Sequence, residues 1–349
     1  EFQLPYGFMA SVGIMYTRDV YNVVQKNINE KAPSGTYNEQ PGRVYWTKNN
    51  YYDNPKTKTV IQLTNGDEKG YQYSFNAVLT KKFDFGFTGS FGYTYTMAKD
   101  MTANPGSSAA SVWQNNVAVN SLNDPGVSYS LFSTPHRLIA NASYEIAYAN
   151  MKTTVSLFYT GYQQGRFSYT YYNDINGDGN YSDLMYVPAS KDEMTFVDIK
   201  DKQNNVTYTA EEQQEDFWNY VNSDSYLSER KGQYVERASS LEPWIHRFDM
   251  KIAQDFYAKI GNRKYGIQVS LDMLNIGNLL NSKWGAYRSC GLQSYDNVRL
   301  LKTASKVGEP LTYQMNASSR EAFQKNSKWD YTASTGSAWQ MQLGVKFTF

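Results

Sequence analysis

The sequence is poor in the residues that build compact chemical sites. Its 349 residues include one cysteine, Cys290, and two histidines, His136 and His246. A single cysteine excludes an intrachain disulfide and says little about compartment, and two histidines cannot by themselves form a zinc site. No apolar run approaches the ~20 residues of a membrane-spanning helix, and mean hydropathy is −0.63. Charge of one sign is also missing. Lys+Arg 34 against Asp+Glu 33 gives a formal net charge of +1, which excludes a general nucleic-acid footprint. There is no nucleophile–base–orienter trio, Gly-rich phosphate loop or catalytic carboxylate pair, so the chain is expected not to be an enzyme. No signal peptide opens it, because Glu1-Phe2-Gln3-Leu4-Pro5 runs straight into a strand pattern.

What is abundant is aromatic. Tyr, Phe and Trp number 31, 17 and 7 and together make up 16% of the chain. Many of them fall in stretches that alternate apolar and polar residues, the period of a β-strand with two unlike faces. Eight such stretches are legible. They are centred on Tyr6–Tyr16, Tyr71–Leu79, Phe85–Met97, Leu138–Tyr144, Val155–Tyr159, Phe248–Phe256, Tyr265–Met273 and Trp339–Phe349. The third and the last are the cleanest. In the last, Trp339, Met341, Leu343, Val345, Phe347 and Phe349 share one face, and Gln340, Gln342, Gly344, Lys346 and Thr348 share the other. Each stretch is close to the ~9–11 residues that cross a bilayer at a tilt. A transmembrane barrel hides its apolar signal in this way and gathers aromatics in girdles at the two interfaces.

The connections alternate in length. Short turns are expected at Lys81–Asp84, Tyr148–Met151 and Ala258–Lys264, and long connections near 20–70, 99–135, 163–245 and 277–338. Outer-membrane barrels have short periplasmic turns and long extracellular loops. With the short turns in the periplasm, the last strand descends and Phe349 ends there. The expectation is an all-β, transmembrane antiparallel β-barrel wall over 1–349 with long extracellular loops, in the cell outer membrane of a Gram-negative bacterium, touching membrane lipid. A soluble β-sandwich or solenoid is the competing fold. Within the third loop, Ala210–Val221 opens with glutamates and places Phe217, Tyr220 and Val221 at helical spacing, which predicts a short helix. Asn123–Gly126 and Ser133–His136 read as turns.

Several segments together resemble the C-terminal barrel of TonB-dependent transporters of the Bacteroidetes outer membrane, in particular the Oar-like branch with its carboxypeptidase-regulatory-like N-terminus. The carrying residues are Asn173-Asp174-Ile175-Asn176-Gly177-Asp178-Gly179-Asn180-Tyr181-Ser182-Asp183-Leu184-Met185-Tyr186-Val187-Pro188, Phe217–Val221, Lys231–Tyr234, Pro243–Asp249 and Asp272–Asn281. The spacing of Gln342, Gly344, Phe347 and Phe349 resembles the C-terminal signal read by the barrel-assembly machinery. The resemblance covers most of 70–349 and implies a barrel of about 22 strands with an N-terminal plug. About eight strands fit here and no plug is visible. The chain is therefore expected to be a C-terminal portion whose partners are the remaining strands, the plug and, through the missing N-terminal region, TonB. The implied function is active import of an unidentified substrate. An independent eight-strand barrel, and a structural or adhesive barrel subunit of a larger surface assembly, are the alternatives.

Two candidate sites follow from residue type. Asp174-x-Asn176-x-Asp178-Gly179 matches positions 1, 3, 5 and 6 of a calcium loop. Ser182 falls at position 9 and Met185 stands where the bidentate Glu belongs, with Asp183 as a substitute ligand. The alternative is an Asx- and Gly-rich turn without an ion. Tyr169, Tyr171, Tyr172 and Trp218, with Tyr181, would contact ligand as large rigid rings, or would pack the loops. His136-Arg137 and His246-Arg247 recur where long loops re-enter the wall. They either touch ligand at a rim or anchor the interface. Asp249, Lys251, Asp255, Asp272 and Lys346 are expected on the inward face.

Overall fold

The structure, a computed structural model, describes residues 1–47, 50–52, 59–261, 263–290, 292–294, 296–316, 320 and 329–349. It is an all-β chain, 48% strand and 11% helix. Eight long strands carry it: β1 (Phe8–Arg18), β2 (Tyr71–Lys82), β3 (Phe87–Asp100), β4 (His136–Tyr148), β5 (Met151–Gln163), β6 (Trp244–Ile260), β7 (Arg263–Leu274) and β8 (Gln340–Thr348). They pair antiparallel in sequence order. Two short strands, Phe2–Leu4 and Ser128–Tyr129, flank β1 and β3. The sheet is open: among the described residues β1 and β8 do not pair with each other.

The first strand begins two residues later than the alternation predicts. Tyr6 adopts φ 61° and Gly7 φ 72°, so Pro5–Gly7 is a tight turn that folds Phe2–Leu4 back onto Phe8–Ala10. The hairpin between β2 and β3 shifts for a similar reason. Gly86 sits at φ 94°, and a Cβ there would collide with the Glu145 carbonyl, so Phe83–Gly86 is turn rather than strand. The other short turns fall at 149–150 and between Ile260 and Arg263, where residue 262 lies outside the described set. All short turns lie at one end of the sheet and all four long connections at the other.

The alternation keeps its phase across every strand pair. One row runs Ala10, Leu79, Phe91, Ala140, Tyr159, Phe248 across β1–β6. Another runs Phe87, Tyr144, Val155, Ile252, Leu271, Leu343 across β3–β8. On this face, among the described residues, no carboxylate occurs, and the charged side chains Arg18, Lys81, Lys99 and Arg263 all stand at strand ends. Lys81 lays its ammonium over the Phe8 and Phe83 rings at 4.5 and 4.3 Å. The opposite face is polar, with rows such as Ser156, Lys251, Asp272, Gln342 and Lys152, Asp255, Gln268, Lys346. Lys251 pairs with Asp272 at 2.8 Å, and Gln268 donates to Asp255 at 2.9 Å. Asp249, Lys251, Asp255, Asp272 and Lys346 all share this face. A one-residue slip anywhere would turn a whole strand inside out.

The buried core lies elsewhere. Its main cluster, from Tyr37 to Met315, is drawn from the long connections. These fold over one end of the sheet as a cap. Its helices include α1 (Ala109–Asn115), α2 (Ala210–Ser223) and α3 (Ser225–Ser228). α2 starts where the Thr209 and Glu212 side chains cap each other's backbone N–H groups. It buries Gln213, Phe217, Tyr220 and Val221, the face expected from spacing. α1 has no counterpart in the hydrophobic pattern; its only sequence signal is the serine pair Ser108 and Ser111, which forms a capping box.

Candidate functional site: the four-loop cap

One guanidinium ties all four long connections together. Arg43, from the first, is fully enclosed. Its Nη1 pairs with Asp183 Oδ1 at 3.2 Å and donates to the Val119 carbonyl at 2.8 Å. Its Nη2 donates to the Leu184 carbonyl, and its Nε to Gln40 Oε1 at 2.6 Å. Gln40 then donates to the Tyr171 and Tyr313 hydroxyls at 2.7 and 2.8 Å. Val119 belongs to the second connection, Tyr171, Asp183 and Leu184 to the third, and Tyr313 to the fourth. The guanidinium also lies over the Tyr171 and Tyr234 rings, at 5.5 and 5.0 Å. Each of the three guanidinium nitrogens donates to an acceptor, as a buried charge requires.

The Asp174–Asp183 loop is wound beside this hub. Gly177 and Gly179 donate their backbone N–H groups to Asp174 at 2.6 and 2.8 Å. Asp178 donates to Asn176 Oδ1 at 2.9 Å, and Asn180 to Asp178 Oδ1 at 2.8 Å. Gly177 and Gly179 adopt positive φ, as a sharp Asx-rich winding needs. The first connection clasps the loop from outside, through Trp46 N to the Asn176 carbonyl at 2.6 Å and Tyr51 OH to the Asp178 carbonyl at 2.9 Å. Burial and the Asp174 charge push the Asp178 carboxyl up to about 7. Burial and the Asp178 charge raise Asp183, against the opposing pull of Arg43. Among the described residues no three acidic, histidine or cysteine side chains converge as a metal-holding group. Asp183 is turned to Arg43 and to the Ile175 N–H, which donates at 3.2 Å. The side-chain oxygens of Asp174, Asn176 and Asp178 each accept backbone N–H groups of their own loop.

The four candidate ligand rings divide. Tyr169 and Tyr171 are enclosed. Tyr169 shares a hydroxyl contact with Tyr220 at 3.1 Å and donates to Asp224 at 2.6 Å. These two rings hold the cap together. Tyr172 is exposed, and Trp218 packs on the core's edge with the Lys231 ammonium 4.5 Å from its ring. Only these two, with exposed Tyr181, present ring surface to solvent.

A cleft of mixed polar and apolar lining, with Val117 and Leu131 among its walls, opens among the long connections, where residue pattern did not single it out. One part is lined by Asn115, Asn116, Ser168, Arg237 and Asn297, an adjoining part by Ser133, Gln164, Arg166 and Glu242, and Asp296 borders both. Arg237 is buried and donates to Asn116 Oδ1 at 3.0 Å and Asp100 Oδ1 at 3.1 Å, while its Nε has no partner. Asp296 holds φ 60°, and burial raises its carboxyl. The cleft joins residues 296 and 115 through long-range folding alone, which left no periodic signal to find.

The histidine–arginine pairs separate by parity. Arg137 and Arg247 fall on the polar face, and His136 and His246 on the apolar one. Trp244 stacks between the imidazoles at 6.1 and 5.7 Å. The Tyr93 and Tyr159 hydroxyls meet the two Nδ1 atoms at 2.8 Å each. This makes an amphipathic aromatic band at the cap end of the apolar face. At the other end, Phe347 and Phe349 stack at 5.9 Å, and Gln342 and Gly344 lie in the polar rows.

No protein-family model, curated protein or solved structure matches this chain.

Proposed function

We propose that this chain forms part of the wall and the surface cap of an outer-membrane transporter of the TonB-dependent kind. The observation that carries this reading is the predominantly apolar face, held in phase across eight strands, with charge only at its ends. Such a face requires an apolar solvent, and the aromatic–histidine band suits a bilayer interface. Free strand edges are costly in lipid, so β1 and β8 would pair with further strands of a larger wall. The plug, acted on by TonB, would lie among those partners. The mixed-charge cleft among the long connections, with Arg166, Arg237, Glu242 and Asp296, supports contact with a polar solute such as a peptide or glycan. A calcium ion held by Asp174, Asn176 and Asp178 would relieve the repulsion of two buried carboxylates and stiffen the cap.

The test is fractionation followed by uptake. The chain should sediment with outer membranes and migrate as a heat-modifiable species, and deleting Phe349 should lower the assembled fraction. Cells without the protein should lose a protonophore-sensitive uptake of labelled peptides or glycans. Uptake that is unchanged while surface adhesion falls would favour a structural or adhesive subunit instead.

A further inference from the structure

We infer that the cap end of the apolar face holds a site for one phosphate-bearing, acylated lipid. This inference rests on the membrane reading above and adds a specific ligand to it. β7 stops at Asn275, whose φ of 52° breaks the strand. The Asn275 N–H donates to Asp249 at 2.7 Å, and its side-chain amide donates to the Gly285 and Ser337 carbonyls at 3.1 and 2.7 Å. Gly285 must be glycine, because a Cβ there would meet the Asn275 side chain. This lock swings the following segment, with α4 (Ile276–Leu280), alongside the upper part of β6. Between them lies a cavity of about 390 Å³ lined on the wall side by Trp244, His246 and Phe248 and on the loop side by Lys283, Arg288 and Tyr331. That is the size of a small-molecule site (about 300–1,000 Å³).

Two features give it a ligand class. First, Lys283 and Arg288 both lie over the Tyr331 ring, at 5.7 and 5.5 Å. Neither makes an ion pair with a described residue, and Arg288 Nε is buried without a partner. Two cations sharing one ring with no carboxylate between them call for an anion, and a phosphate can take several of their N–H groups at once. Second, the cavity continues past His246 and Phe248 into a shallow trough floored by Ala140 and Ala142 and walled by Leu157 and Tyr159. The small side chains leave room for an acyl chain along the wall. A phosphate above and a hydrocarbon groove below, at the level of the aromatic band, describe a lipid head and tail. The long connections face outward in the proposed orientation, so the lipid is that of the outer leaflet.

The experiment uses protein extracted from outer membranes in mild detergent, titrated with monophosphorylated lipid A and followed by native mass spectrometry. One lipid should be retained, and the Lys283→Gln/Arg288→Gln double variant should weaken retention roughly tenfold. Ala140→Phe, which fills the trough without touching the cations, should weaken it as well. Dephosphorylated lipid A should bind less well than the phosphorylated form. Equal retention by wild type and the double variant, or equal binding of the dephosphorylated lipid, would overturn the site while leaving the membrane reading intact. Absence of the chain from outer membranes would overturn both.

Discussion

The wall and the cap use the same residue types in opposite ways. In the wall, Ile14 is 81% exposed and Leu343 and Val345 are each 72% exposed. In the cap, Val221, Leu227 and Val298 are completely enclosed. Burying one such side chain is worth about 1.5–3 kcal/mol, so the cap carries its own hydrophobic stabilisation and the wall does not. Between neighbouring strands the wall's backbone hydrogen bonds are made within the sheet, the outer edges of β1 and β8 apart, and its apolar side chains are left for the surroundings to cover. In the membrane setting proposed above, two solvents would act on one chain, water on the cap and hydrocarbon on the apolar face of the wall.

The contrast can be broken most forcefully at Arg43. Arg43→Ala strands Asp183 and Gln40 in the core, and removing one partner of a buried ion pair costs about 3–5 kcal/mol. Hydrogen exchange should show the cap opening across all four connections while β1–β8 stay protected. Loss of protection in the wall as well would mean that the two regions fold as one unit. Next comes Leu343→Lys, in the middle of β8. A lysine at bilayer depth should cost about 2–4 kcal/mol in a denaturant titration in lipid vesicles. Gln342→Lys, one residue away on the polar face, should cost little. Equal effects at the two positions would remove the distinction between the faces.

Smaller effects sharpen the picture within the cap. Thr209→Ala removes the N-cap of α2 and should cost about 1 kcal/mol, read as faster proteolysis near α2. Asp178 bears on the cation. Its folded value of about 7 lies above the ordinary ~3.9, so its protonated form is favoured in the fold. Without a cation, cap stability should fall as pH rises from about 4 through 7. Asp178→Asn should flatten that fall in EDTA. Added calcium should stabilise the wild type at neutral pH and leave the variant unmoved. A wild type indifferent to calcium would dismiss the ion.

Strand alternation is a local property, so all eight wall strands and the division of Lys251, Asp272 and Lys346 from Leu271 and Leu343 were legible residue by residue. So was α2, whose cap and apolar spacing lie within a few positions of each other. Strand ends were less legible. Tyr6 continues the alternation, yet its left-handed backbone turns the chain, and Phe85 continues it from within a turn. The candidate site was least legible. Tyr169 and Tyr171 read either as recognition rings or as loop packing, because composition does not report enclosure. Arg237 and Asp296 gave no signal, because their cleft is assembled from separate loops.

The sequence by itself determined the two-faced strands, their number and the alternation of short and long connections, because each depends on neighbours two residues apart or on simple spacing. Only the tertiary structure decided that the sheet stays open and that the long connections share one core. Gln40 meets Tyr313 across 273 residues, and the position of a buried charge is fixed by whichever distant groups can satisfy it. Such pairings depend on how the loops close in space, which no local pattern carries.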